Sequence, residues 1–193
     1  MATDGGDGAA YDHADWGNAR VRCAGAVHEM AADPPAVEHS LRPVVWTSLT
    51  NAAVFSGGAL KAWCDSCGAE ATSAGTLMAG SSGTLRFIAG DGSHRYVGLS
   101  SRSGYHVTDF DFAFRAWGTT LNAYQDGDWV AGVSFVSSDV LSIAVSASGA
   151  VTFRKNGETI VPIVPLKPAP DGLRVKAALV DAWGSVEHVA ADF

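Results

Sequence analysis

The sequence is poor in the features that declare most functions. Cysteine occurs three times in 193 residues, at Cys23, Cys64 and Cys67. That is an odd number and too few for a disulfide framework, so the expectation is ordinary thiols in a reducing compartment. Basic residues are outnumbered, 13 Lys and Arg against 20 Asp and Glu, for a net charge of −7. The phosphate-neutralising term that dominates nucleic-acid affinity is therefore weak, and attraction to anionic membrane is weak for the same reason. No apolar run approaches the roughly 20 residues of a bilayer-spanning helix. Met1 to Ala10 is acidic and glycine-rich, where a secretory leader is basic and then apolar. These absences predict a cytoplasmic protein with no nucleic-acid partner and no membrane insertion. Charged residues, at 17%, are too few for a coiled coil, whereas 47% hydrophobic residues suffice for one sizeable core.

Helix signals are also scarce, with room for only a turn or two around Gly25 to Ala32. Residues 1–43 hold seven acids and three bases, the Pro34-Pro35 pair and Pro43, without sustained alternation. They read as an irregular N-terminal arm whose scattered apolar residues must bury against something, which makes the arm a candidate part of the binding function. Residues 44–193 read as a second region of short strands separated by Gly, Asn, Asp and Ser, the pattern of a sandwich or barrel. In Asp109 to Ala116 the alternation places Phe110, Phe112 and Phe114 on one inward face, with Asp109, Asp111 and Arg115 on the other. Asp139 to Ile160 reads as a three-stranded meander: Leu141, Ile143 and Val145 point inward, Ser148-Gly149 turns the chain, Val151 and Phe153 point inward, and Asn156-Gly157 supplies a hairpin turn. Gln125 to Asp128 is a further hairpin, and Leu173 to Asp181 with Ser185 to Phe193 read as two closing strands joined across Trp183-Gly184.

The order Tyr96-Val97-Gly98-Leu99-Ser100, Asp109 to Phe114, Asp139 to Val145 and Val151 to Glu158 resembles the SPRY/B30.2 and concanavalin A-like group. There a "GLS" strand, a strand opening with Asp, a "GDV…I.V" strand and a "v.f.kNG" hairpin follow one another. The group's "GDV" is Ser138-Asp139-Val140 here, and Val45 to Asn51 is similar to bacterial sandwich modules opening "V-W-T-N-L-V-N". The resemblance implies a bent antiparallel two-sheet β-sandwich of jelly-roll type over residues 44–193, a fold used mainly for binding.

Catalytic signals are missing. Glycoside hydrolysis needs paired carboxylates, and the nearest pairs are Asp109 with Asp111 and Asp126 with Asp128; the first reads as partnering backbone or arginine on a half-buried face, the second as turn residues. Cys64-Asp65-Ser66-Cys67 is half of a zinc site without a second pair. No nucleophile elbow or phosphate loop occurs, and His94, His106 and His188 stand isolated. No catalytic residue, cofactor or metal is expected. Of six tryptophans, Trp46, Trp117 and Trp129 fall on apolar strands and read as core, leaving Trp16, Trp63 and Trp183 as exposed anchors. The expectation is a non-catalytic interaction or structural module, a subunit of a larger assembly of the cytoskeletal or organellar kind. It would bind other protein chains through Trp16, Trp63, Trp183, Asp126 and Asp128; a carbohydrate-binding module is the alternative.

Overall fold

The computed structural model describes residues 40–55, 58–160, 162 and 165–193. The helical turn expected at Gly25 to Ala32, and nearly all of the arm, lie outside them. In chain order the strands are β1 (Arg42–Pro43), β2 (Trp46–Thr50), β3 (Ala52–Val54), β4 (Leu60–Ala62), β5 (Ala69–Ser73), β6 (Gly83–Ile88), β7 (Arg95–Ser100) and β8 (Phe112–Trp117). They continue with β9 (Thr120–Gln125), β10 (Asp128–Ser134), β11 (Val140–Val145), β12 (Val151–Lys155), β13 (Glu158–Thr159), β14 (Arg174–Leu179), β15 (Ser185–Val186) and β16 (Ala190–Ala191). All pairings are antiparallel. One sheet has six strands in the order β1-β16-β6-β11-β12-β13, a second has seven in the order β10-β9-β8-β7-β14-β5-β2, and β15-β4-β3 form a small third.

The two large sheets bury their inward faces against each other, as period-2 alternation requires. Phe112 and Phe114 of β8 meet Phe153 of β12 edge-on, at 6.5 and 5.0 Å between ring centroids, and Phe87 of β6 meets Phe114 at 6.1 Å. Leu141, Ile143 and Val145 are buried as the pattern predicts. Both two-residue hairpins take the expected turns. Asp126 and Gly127 have φ of 51° and 86°, and Asn156 and Gly157 have 52° and 84°, so both central residues lie in the left-handed region that Asn, Asp and Gly tolerate. The Asn156 side chain adds to the second, accepting from the Val140 N–H and donating to Asp139.

Three expectations are corrected. Phe110 is buried but does not share a face with Phe112 and Phe114: the strand begins at Phe112, and Phe110 packs with Tyr96, Ala113 and Ala178 on the opposite side of the sheet. Asp109 and Asp111 likewise share no strand face, because Asp109 ends a 3-10 turn, Val107–Asp109, ahead of β8. The closing segment is not one strand pair. β14 joins the seven-stranded sheet, β15 the small sheet and β16 the six-stranded sheet, with His188 redirecting the chain at φ 53°.

Candidate functional site

The outward face of the seven-stranded sheet carries a cluster of aromatic and polar side chains. Alternation sends Tyr96 of β7, Arg115 and Trp117 of β8, Asn122 of β9 and Trp129 of β10 to solvent. Strand register sets Ala178, Tyr96, Arg115, Asn122 and Gly132 in one row across five strands. Gly132 leaves room for Trp129: a Cβ there would stand 3.4 Å from the indole, whose Nε1–H donates to Asn122 Oδ1 at 3.1 Å. At the other end His94 stacks on Trp117, centroids 5.6 Å apart and planes 27° from parallel. The Arg115 guanidinium lies 4.8 Å over Trp117 and donates from Nε to His94 Nε2 at 3.0 Å. The His94 ring is half-buried, and that burial, with the Arg115 charge second, lowers its pKa below the ordinary imidazole value despite the opposing Asp181 carboxylate. A neutral ring whose Nε2 accepts from Arg115 carries its proton on Nδ1. Burial pushes the Tyr96 hydroxyl up, so it stays protonated at neutral pH.

The loop from Ser101 to Asp111 is clipped onto this face. Lys176 of β14 is fully buried, and its ammonium donates to the carbonyls of Arg102 and Asp109, at 3.1 and 3.2 Å, near the two ends of the loop. Burial lowers the Lys176 pKa, and the Phe110 ring sits 5.1 Å from its Nζ. Asp111, itself buried, accepts from the Ser101 N–H and hydroxyl and from Arg102 Nη2 at 2.6 to 2.8 Å. Opposite stands the Cys64–Gly68 loop, closed by a disulfide between Cys64 and Cys67. Gly68, at φ +71°, has the Tyr105 ring where a side chain would begin, 2.7 Å from an ideal Cβ, so only glycine lets that ring lie on the loop. Between these walls opens a cleft of about 510 Å³, floored by Tyr96 and His94 and flanked by Ser66, Tyr105, His106 and Thr108.

No protein-family model matches the sequence, and no curated protein matches it either. Solved structures do match in shape. The SPRY domain of human HERC1 superposes with a TM-score of 0.56 at 16% identity, covering 78% of this chain and 96% of that one. The PSpry domain of TRIM65 gives 0.54 at 13% identity, over 76% and 91%. The lumenal domain of VIP36 in its calcium- and mannose-bound form gives 0.55 at 10% identity, over 76% and 82%. The fold is a SPRY/concanavalin A-like β-sandwich.

On this SPRY-like frame the expected site residues separate. Trp63 and Trp183 are exposed, at 54% and 67%. Extending the β4–β15 register, in which Lys61 faces Ser185, sets them opposite each other beside the disulfide loop, with Phe55 5.9 Å from Trp63. Trp183 holds φ at 63°, a conformation rare for a bulky residue and strained. Asp126 is tied into the loop network instead, receiving Arg102 and, at 3.0 Å, Lys167. Asp128 is the exposed first residue of β10, and Trp16 lies outside the described residues.

Three sequence readings fail here. Trp117 and Trp129 are not core: they are 58% and 47% exposed. Phe112, Phe114 and Ala116 point inward, so Trp117 must share Arg115's face, and Trp129 pairs with the outward Tyr124. The cysteines of the Cys64–Cys67 pair are bonded rather than free, which removes two of the three thiols behind the reducing-compartment reading. Neither His94 nor His106 is isolated, the latter's ring lying 4.2 Å from Tyr105, and Tyr96 and Tyr105 were not among the expected site residues. The parity that marks Trp117 also marks Tyr96; Tyr105 and His106, in an irregular loop, had no periodic signal.

Proposed function

We propose that the chain is a non-catalytic protein-interaction module, a subunit of a larger assembly, that takes a segment of a partner protein into the cleft beside the Tyr105-His106 loop. The observation that carries this is the lining: aromatic rings and the aliphatic Val107, Leu179 and Val180 predominate, with no acidic or carboxamide side chain among them. The hydroxyls of Ser66, Thr108, Tyr96 and Tyr105 leave the lining some hydrogen-bonding capacity, but apolar peptide side chains suit its predominantly aromatic and aliphatic surface. Preformed walls reduce the ordering cost of binding. The similarity to SPRY domains supports the same reading. The carbohydrate-binding alternative draws on the exposed indoles of Trp117 and Trp129, which offer stacking faces, and on similarity to VIP36, whose structure holds mannose.

The test compares the wild-type chain with a Tyr105→Ala/His106→Ala variant shown to be folded by circular dichroism. Proteins retained from native lysate are quantified on both, and both are applied to a glycan array. Proteins held by the wild type and lost by the variant, with a blank array, are expected. Glycan binding that the variant loses would replace this reading with the lectin one.

A further inference from the structure

Arg115 and Arg174 are both held at Nε and open at their terminal amino groups, but of the described arginines Arg115 alone is also stacked on an aromatic ring. Its Nε–H is committed to His94, and its plane is backed by Trp117 at 4.8 Å. Its two terminal amino groups have no hydrogen-bond or ion-pair partner among the described residues, whereas those of Arg95 and Arg102 are taken up by carboxylates and backbone carbonyls. A guanidinium so fixed presents a planar donor fork whose geometry matches a carboxylate, and little side-chain freedom is left to lose on binding. It stands at the lip of the cleft, since its partner His94 and its cross-strand neighbour Tyr96 are both lining residues.

We infer that Arg115 is a carboxylate-recognition residue: the cleft selects a peptide segment carrying an acidic group, whose carboxylate docks on the Arg115 fork while neighbouring apolar side chains enter between Tyr96 and Tyr105. This rests on the protein-binding reading above and specifies the partner's chemistry. Charge complementarity is local. The chain as a whole is acidic, at −7, so long-range attraction does not favour an acidic ligand and the preference must come from the fork itself. His94 contributes by staying neutral. Protonation would remove the acceptor that holds Nε and place a second cation against Arg115, so it is the neutral ring that orients Arg115. The facing groups are Arg115 of β8, Tyr96 of β7 and Asp181, which accepts the His94 backbone N–H at 2.6 Å.

The test screens the full chain against a positional peptide array in which each Asp, Glu and free C-terminal carboxylate is paired with its amide. The best acidic peptides are expected to bind at least tenfold more tightly than their amides. Side-chain and chain-end arms show which kind of carboxylate is taken. R115Q should abolish that difference by bringing the acidic peptides down to the affinity of their amides, and R115K should restore only part of it, because an ammonium lacks the fork. If R115Q does not fold, NMR titration of the wild type reads the same contact at the Arg115 Nε–H and Trp117 indole signals. Acid and amide peptides that bind equally, with binding lost in Tyr105→Ala, would overturn the acidic preference and leave the protein-binding cleft standing. No peptide binding at all, or binding of an oligouronate alone, would overturn both.

Discussion

The outer faces of the two large sheets are built by the same rule and carry different chemistry. Across the six-stranded sheet, register aligns Ala190, Arg86, Ser142, Arg154 and Thr159. Across the seven-stranded sheet it aligns Ala178, Tyr96, Arg115, Asn122 and Gly132. Both rows hold arginine. On the first face Arg86 and Arg154 stand exposed among small polar residues, as solubility alone would select. On the second the arginine is stacked, hydrogen-bonded and bordered by rings that no core requirement explains, and a loop is clipped down by a buried lysine. A sheet needs only polar residues outward, so aromatic side chains spent there point to binding rather than folding.

The largest effect should fall on both faces at once. Phe114 lies between the sheets, 1% exposed, against Phe87 and Phe153. Phe114→Ala is expected to cost about 3 to 5 kcal/mol in chemical denaturation. Loss of structure on one face only would show that the sheets fold independently. A smaller and one-sided effect is expected from Cys64→Ser/Cys67→Ser. Closing so short a loop restricts the unfolded chain by about 2 kcal/mol at most. Hydrogen exchange should quicken in residues 64–68 and 101–111, which meet at Gly68 and Tyr105, and stay unchanged in β6, β11 and β12. Equal loosening of both sheets would break the comparison.

The fold was legible in the sequence where each strand buries one face. Phe112, Phe114, Leu141, Ile143 and Phe153 announce themselves by alternation, and Asn156-Gly157 by turn chemistry. The cleft was not, for two physical reasons. Its outward residues follow the same alternation, but an outward Tyr or Trp looks apolar to a composition count, so Trp117 and Trp129 were read as core. Its walls come from segments with no period at all. The contact between Gly68 and Tyr105, and the ammonium of Lys176 beneath the carbonyls of Arg102 and Asp109, join residues 37 and 67 to 74 positions apart. Phe110 shows the limit from the other side: alternation was extended two residues past the true start of β8, and the ring landed on the wrong face.

Paired substitutions sharpen the contrast further. Trp117→Ala should cost about 1 kcal/mol, since it removes the cation–π contact with Arg115 and the stacking with His94. Arg154→Ala, with no comparable partner on its face, should stay within about 0.5 kcal/mol. Thermal or denaturant melts of the two variants, measured together, give the difference; equal costs would mean that the stacked cluster contributes nothing to the folded state.

The smallest expected effect is a pH dependence confined to the aromatic face, because no strand of the six-stranded sheet contains a histidine. Burial, then the Arg115 charge, lowers the His94 pKa from its ordinary 6.5. The unfolded chain therefore takes up a proton at a higher pH than the folded one. Above about pH 6.5 the ring is neutral in both states and its contribution is fully present. As pH falls below that value the unfolded state gains protons first, and stability declines until the folded ring is also protonated. Denaturation midpoints at pH 7.5 and 5.5 should thus differ more for the wild type than for His94→Gln, whose amide can still accept from Arg115 but cannot titrate. The exposed His106 and His188 are present in both chains and cancel in the comparison. Parallel pH curves would show that His94 meets no penalty on protonation, and the neutral acceptor that orients Arg115 would then have to be found elsewhere on the sheet.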